Sequence, residues 1–111
     1  MTGYYELKSA GSNGFMFNLK AGNHETILSS QTYTTKDAAK GGIESVQTNA
    51  LKQDRYERKV AKDSAAYFVL SAANNQIIGT SEMYSSTSAR DKGIESVTTN
   101  GPAKTIKEID N

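Results

Sequence analysis

Apolar residues along this chain follow two periods in turn. Phe15, Phe17, Leu19 and Ala21 alternate with Met16, Asn18 and Lys20, the period of two that marks a half-buried strand. Tyr4–Ser9 interleaves aromatic, aliphatic and charged residues in the same way, and Glu25–Ser30 brings Ile27 and Leu28. The segments between them, Gly11-Ser12-Asn13-Gly14 and Gly22-Asn23-His24, are turn chemistry, since glycine and asparagine accept the positive φ of tight hairpins. Three strands with short turns predict an antiparallel meander. From about Thr35 to Asn49 the period lengthens: Ala39, Ile43, Val46 and Ala50 form one apolar helical stripe, with Thr35 placed to cap its start. A second stripe, Ala38, Gly42, Ser45 and Asn49, is small throughout. Glycines at 41 and 42 each cost a helix about 1 kcal/mol relative to alanine, so close packing against the backbone is expected to compensate. Asn49 suits a left-handed C-terminal cap.

The pattern then starts again. Gly42-Ile43-Glu44-Ser45-Val46 returns as Gly93-Ile94-Glu95-Ser96-Val97, and an ungapped shift of 51 aligns residues 4–49 with 55–100 at nineteen identical positions of forty-six. Unrelated sequences match at roughly one position in fifteen to twenty. An internal duplication follows. The second copy predicts strands over 55–61, 65–72 and 76–82 and a helix over 86–100, capped by Ser86 or Ser88 and stopped by Gly101-Pro102. The tail, residues 102–111, holds Ile106 and Ile109 among charges; its stretch Lys104–Ile109 fits neither period and is expected as an edge strand or a frayed end. The reading is α+β: two tandem β-β-β-α repeats with pseudo-two-fold symmetry, six antiparallel strands forming a sheet covered by two helices. About fifty residues are too few for a full independent core, so the repeats are expected to share one, as a single domain over 1–111 that is a monomer.

Composition narrows the function classes. Thirteen basic and twelve acidic residues leave a formal charge of +1, which supplies no field for nucleic acid or an anionic membrane. The local basic cluster of Lys52, Arg55, Arg58, Lys59 and Lys62 is interrupted by Asp54, Glu57 and Asp63. There is no cysteine and one histidine, so no transition-metal site and no cofactor is expected. No basic region with an apolar run opens the chain, no segment approaches 18 apolar residues, and a cytoplasmic location is the default. His24 stands in a turn, its counterpart is Asn75, and it reads as a solvated turn residue rather than the base of a triad.

Several strings resemble a known family. Lys20-Ala21-Gly22-Asn23-x-Glu25-Thr26-Ile27-Leu28, the Tyr33-Thr34 step, Gly42-Ile43-x-Ser45-Val46 and Ala73-Asn74-x-Gln76-Ile77-Ile78-Gly79 are similar to the YegP-like bacterial proteins, from Tyr4 to about Asn100. The resemblance implies β-β-β-α units joined through a shared sheet, an uncharacterised function, and no catalytic residues to carry over.

The candidate surface residues come in pairs. Glu44 and Glu95 point away from the apolar stripe, and an exposed residue has little structural reason to be the same in both units. The bland account is an i,i+4 partner such as Lys40 for Glu44. Tyr33 and Tyr84 read as core anchors before each helix. Ser45, Ser96, Asn49 and Asn100 are the polar candidates at a seam between repeats. The leading reading is a non-enzymatic interaction module. The alternative is a small-ligand or catalytic site at that seam, formed with Tyr33 and Tyr84.

Overall fold

A computed structural model of the chain describes residues 3–11 and 14–109. The strands are β1 (Tyr4–Ser9), β2 (Phe15–Lys20), β3 (Thr26–Ser29), β4 (Tyr56–Val60), β5 (Ala66–Ser71), β6 (Ile77–Thr80) and β7 (Ile106–Ile109), with helices α1 (Lys36–Asn49) and α2 (Thr87–Asn100). They form one sheet in the order β4-β5-β6-β3-β2-β1-β7. The first six strands read the same from either end about the β3–β6 pair, the order that a two-fold between the repeats generates. Those neighbours are antiparallel; β7 alone joins in parallel, beside β1. The tail is thus a seventh strand at the sheet edge, added to the six of the two repeats, rather than a frayed end. Its two isoleucines did not show period two because every residue of β7 is exposed and none belongs to a core.

The period-two face of each meander becomes the floor of the core. Tyr5, Leu7, Phe17, Leu19 and Leu28 from one repeat and Phe68 and Leu70 from the other meet Ile43 and Val46 of α1 and Ile94 and Val97 of α2 in one cluster. Side chains repeat their geometry as the sequence repeats. Tyr5 meets Phe17 edge-on and Phe17 stacks on Tyr33; Tyr56 meets Phe68 edge-on and Phe68 stacks on Tyr84. A Cβ on Gly42 would overlap the Tyr33 ring, and one on Gly93 the Tyr84 ring. These two glycines therefore bring helix backbone against an aromatic. Gly41 is different: outside its own stretch of helix, no atom stands within 4 Å of where its Cβ would be.

The repeats also close each other's helices. The Tyr5 hydroxyl donates to the Gly101 carbonyl at the end of α2 (2.6 Å), and the Tyr56 hydroxyl donates to the Ala50 carbonyl at the end of α1 (2.7 Å). Each bond satisfies a carbonyl that a helix end leaves without an intrahelical partner. At the seam the repeats must differ. Leu28 pairs with Leu19 and Gly79 with Leu70, and a Cβ on Gly79 would overlap the Leu28 side chain. Two leucines would not fit there.

The helix starts are as expected, with Thr35 accepting from the Ala38 N–H and Ser86 from the Ala89 N–H, both at 3.0 Å. The C-terminal cap is corrected. Ala50 caps α1 in right-handed geometry, while the buried Asn49 donates its side-chain amide to the Ser45 carbonyl one turn back. Along the small stripe Gly42 and Asn49 are buried, Ser45 is half-buried and Ala38 is exposed. In the turns, His24 and Asn75 both adopt left-handed φ (70° and 68°). Ser12 and Asn13, of the first expected turn, lie outside the described residues.

Candidate functional site

The surface candidates converge on the outer face of each helix. On α1 Glu44 and Thr48 stand one turn apart, as do Ser45 and Asn49, so the four side chains border one surface. Facing them is the turn between β5 and β6, Ala72-Ala73-Asn74, from the other repeat. Together with Gly41 these residues line an open groove of about 460 Å³. The missing side chain at Gly41 keeps one end of the groove wide. The turn is held in shape by the Asn74 side-chain carbonyl, which accepts from the Gln76 N–H (3.1 Å).

Within the groove the roles divide. The Asn49 amide is committed to the Ser45 carbonyl (2.8 Å) and is buried, so it forms part of the floor. Glu44 is exposed and makes no ion pair among the described residues. Lys40, its expected helical partner, pairs with Glu108 instead (3.4 Å). The groove therefore offers a free carboxylate flanked by hydroxyls. In α2 the same geometry recurs: Asn100 donates to the Ser96 carbonyl (2.8 Å), and Glu95 is exposed. Glu95 and Thr99 line a second open cavity with Gln53 and Thr98, of about 370 Å³. Lys92 stands at the α2 position equivalent to Gly41, so the two surfaces are related but not identical.

Tyr33 and Tyr84 lie elsewhere. Each is half-buried under its helix, on Phe17 or Phe68, and burial raises both hydroxyl pKa values; Glu82 and Glu25 add to the rise at Tyr84. The structure thus brings Glu44, Ser45 and Asn49 together and keeps the tyrosines out of that groove. Sequence reasoning passed over Thr48, Gly41 and the β5–β6 turn. Thr48 carried a signal, since Thr99 repeats it one turn from Glu95. The turn carried none, because its place follows from how the repeats pack.

The remaining chemistry is local. His24 is exposed, and its Nδ1 lies 2.9 Å from the Tyr4 hydroxyl in a turn contact. No group of three or more His, Asp or Glu residues is placed to hold a metal among the described residues. Two of the five residues of the basic cluster are paired: Arg58 with Asp91 (3.0 Å) and Lys59 with Glu57 (3.7 Å). No helix among the described residues is long and apolar enough to cross a membrane.

Known proteins share both sequence and shape with this chain. The family described as "Domain of unknown function (DUF1508)" matches it twice, over residues 10–57 and 61–108. A UPF0339 protein of Shewanella oneidensis is 57% identical over 109 residues, 98% of this chain and 99% of that protein. The UPF0339 protein YegP of Escherichia coli K12 is 49% identical over 108 residues, 97% of this chain and 98% of that one. The solution NMR structure of the Shewanella UPF0339 protein superposes with a TM-score of 0.93 over 99% of this chain and 93% of that one, at 56% identity. That of E. coli YegP, described as a protein of unknown function, gives 0.94 over 100% and 96%, at 48% identity. With two matched copies and near-complete coverage, the chain belongs to the DUF1508 family, among the UPF0339 (YegP) proteins of bacteria.

Proposed function

We infer that this protein is a non-enzymatic interaction module that docks a basic protein surface through the outer faces of its two helices. The groove on α1 carries the reading: a free carboxylate, Glu44, beside the hydroxyls of Ser45 and Thr48, in an open trough about 460 Å³ in volume. A trough this open excludes little water, which suits a partner's side chains better than a substrate that must be desolvated. The polar floor points the same way, because Asn49 and Asn100 spend their amides on their own helices. A lysine or arginine of a partner would pair with Glu44, and a second with Glu95. The whole chain acts as one domain and a monomer, its halves supplying each other's partner surface, and works in the cytoplasm. The cysteine-free sequence fits a reducing compartment.

The test compares captured partners of the wild type with those of a Glu44→Lys, Glu95→Lys double variant. Exposed substitutions of this kind change stability by under about 0.5 kcal/mol, so the variant should melt like the wild type and lose its specific partner. A partner retained equally by both would refute the helix-face reading.

A further inference from the structure

β7 is attached to the molecule differently from every other strand. All four of its residues are exposed and none enters the core cluster. Its strand neighbour is β1 alone, in the register Tyr5↔Ile106 to Lys8↔Ile109. The chain leading to it is fastened first. The Gly101 carbonyl takes the Tyr5 hydroxyl, the Ala103 carbonyl takes the Gln47 amide (2.8 Å), and Ala103 is buried. Beyond Ala103 the segment is an arm laid on the sheet edge. The arm is held by backbone bonds such as Tyr5 N–H to the Thr105 carbonyl (2.9 Å) and by two side chains. Glu108 lies 2.9 Å from Lys36 and 3.4 Å from Lys40, and the Lys107 ammonium sits 4.2 Å from the Tyr4 ring centre.

Beneath the arm the site is shaped for more than β7 puts into it. A cavity of about 110 Å³ remains there, with Leu7, Phe15, Ile109 and the Lys36–Glu108 pair in its lining. Its volume exceeds that of a single water by several-fold. An occupant with a larger apolar side chain than Ile109 at that position would fill it.

We propose that the β1 edge is a strand-acceptor site for an extended segment of a partner protein, and that β7 is its tethered resident. The segment adds in parallel to β1. It carries an acidic residue at the place of Glu108, paired with Lys36 and Lys40, followed by an apolar residue of isoleucine size or larger. Main-chain bonds supply affinity and the alternate side chains supply selectivity, the general logic of strand addition. Tethering sets the threshold: the arm is present at a high effective concentration, so an incoming segment must outcompete it. This site is separate from the helix grooves, and its test does not depend on them.

The experiment uses the full-length chain and a fluorescent, end-capped peptide of residues 104–109 as the probe. Three proteins are titrated: the wild type, Glu108→Lys, which sets the arm against Lys36 and Lys40, and Lys107→Pro, which removes a backbone donor within the strand. Binding to at least one variant should be tenfold or more tighter than to the wild type, with amide shifts at Tyr5 to Lys8. A probe with lysine in place of its glutamate should bind none of them. The proposal is overturned if both variants bind the probe no better than the wild type does, or if the lysine probe binds equally well.

Discussion

The two outer edges of the sheet come from the same duplicated unit and are finished in different ways. At the first-repeat end, β1 is covered by β7, and Glu108 pairs with Lys36 and Lys40 at the start of α1. At the second-repeat end, β4 is the outermost strand. There Leu7 is replaced by Arg58, while Lys36 and Lys40 are replaced by Thr87 and Asp91. Arg58 reaches Asp91 at 3.0 Å, so the corner that needs a foreign carboxylate in one repeat is closed by the repeat's own ion pair in the other. Charged residues on a bare edge discourage further strand pairing. Glu57, Arg58 and Lys59 serve that end on β4. Duplication kept the aromatic part of the core, Tyr5, Phe17 and Tyr33 with Tyr56, Phe68 and Tyr84, while the edges diverged, one towards accepting a strand and one towards refusing it.

If the cores are equivalent while the edges are not, matched core truncations should cost the same. Phe17→Ala and Phe68→Ala, both at fully buried rings, should each destabilise by roughly 3–5 kcal/mol in urea melts. A large inequality would mean that one repeat dominates the core.

Smaller effects are expected where helix meets tyrosine. Gly42→Ala and Gly93→Ala push a methyl into the Tyr33 and Tyr84 rings and should each cost about 1–3 kcal/mol. Gly41→Ala meets open space and should stabilise by roughly 0.5–1 kcal/mol, the helix-propensity gain. The opposite signs at adjacent positions make thermal melts decisive.

Acid weakens the ion pair at both edges, and a substitution at Glu108 separates them. The hydrogen bond from Lys36, with the charges of Lys36 and Lys40, holds the Glu108 carboxyl below its ordinary pKa; the bond from Arg58 does the same for Asp91, with Arg90 adding to it. Both folded values are depressed, so both contributions are present above the ordinary carboxylate pKa of about 4 and fade as pH falls through the lowered values. Amide exchange across β7, taken relative to the intrinsic rate at each pH, should rise in that acid window. Glu108→Gln should raise it at neutral pH and remove the acid step at β7, leaving the Arg58–Asp91 corner unchanged.

The smallest effect is expected in the turns. His24→Asn copies Asn75, and both residues hold nearly the same left-handed φ. The exchange should shift stability by under about 0.5 kcal/mol. A metal bound by the wild type and lost in the variant would contradict the turn assignment.

Much of this architecture was legible in the sequence because it rests on short-range periods. The alternation in Phe15–Ala21 and the stripe of Ile43 and Val46 report which face is buried, and Thr35 and Ser86 announce the helix starts. What escaped depends on distant residues. Asn49 fits a C-cap by local preference, yet its amide finds the Ser45 carbonyl once both are packed. The β5–β6 turn lines the groove on α1 only because the repeats share a sheet. β7 is stabilised by main-chain pairing and by the side chains of Lys107 and Glu108, none of which leaves a hydrophobic pattern. On the helix side of the candidate site, Glu44 was visible as an exposed identity between repeats and Ser45 and Asn49 as polar residues at the seam; the facing wall was not.

The halves form one core through reciprocal contacts: Tyr5 to Gly101, Tyr56 to Ala50, and Leu28 over Gly79. Each half has about fifty residues, too few for an independent core. The direct measurement is circular dichroism with light scattering on residues 1–52, on residues 53–111, and on their equimolar mixture. The account predicts that the mixture folds as a one-to-one complex and melts cooperatively. It also predicts that residues 1–52 alone form at most a weaker pair, since two copies of Leu28 would crowd the seam that Gly79 leaves open. A stable, monomeric, cooperatively melting first repeat would contradict it.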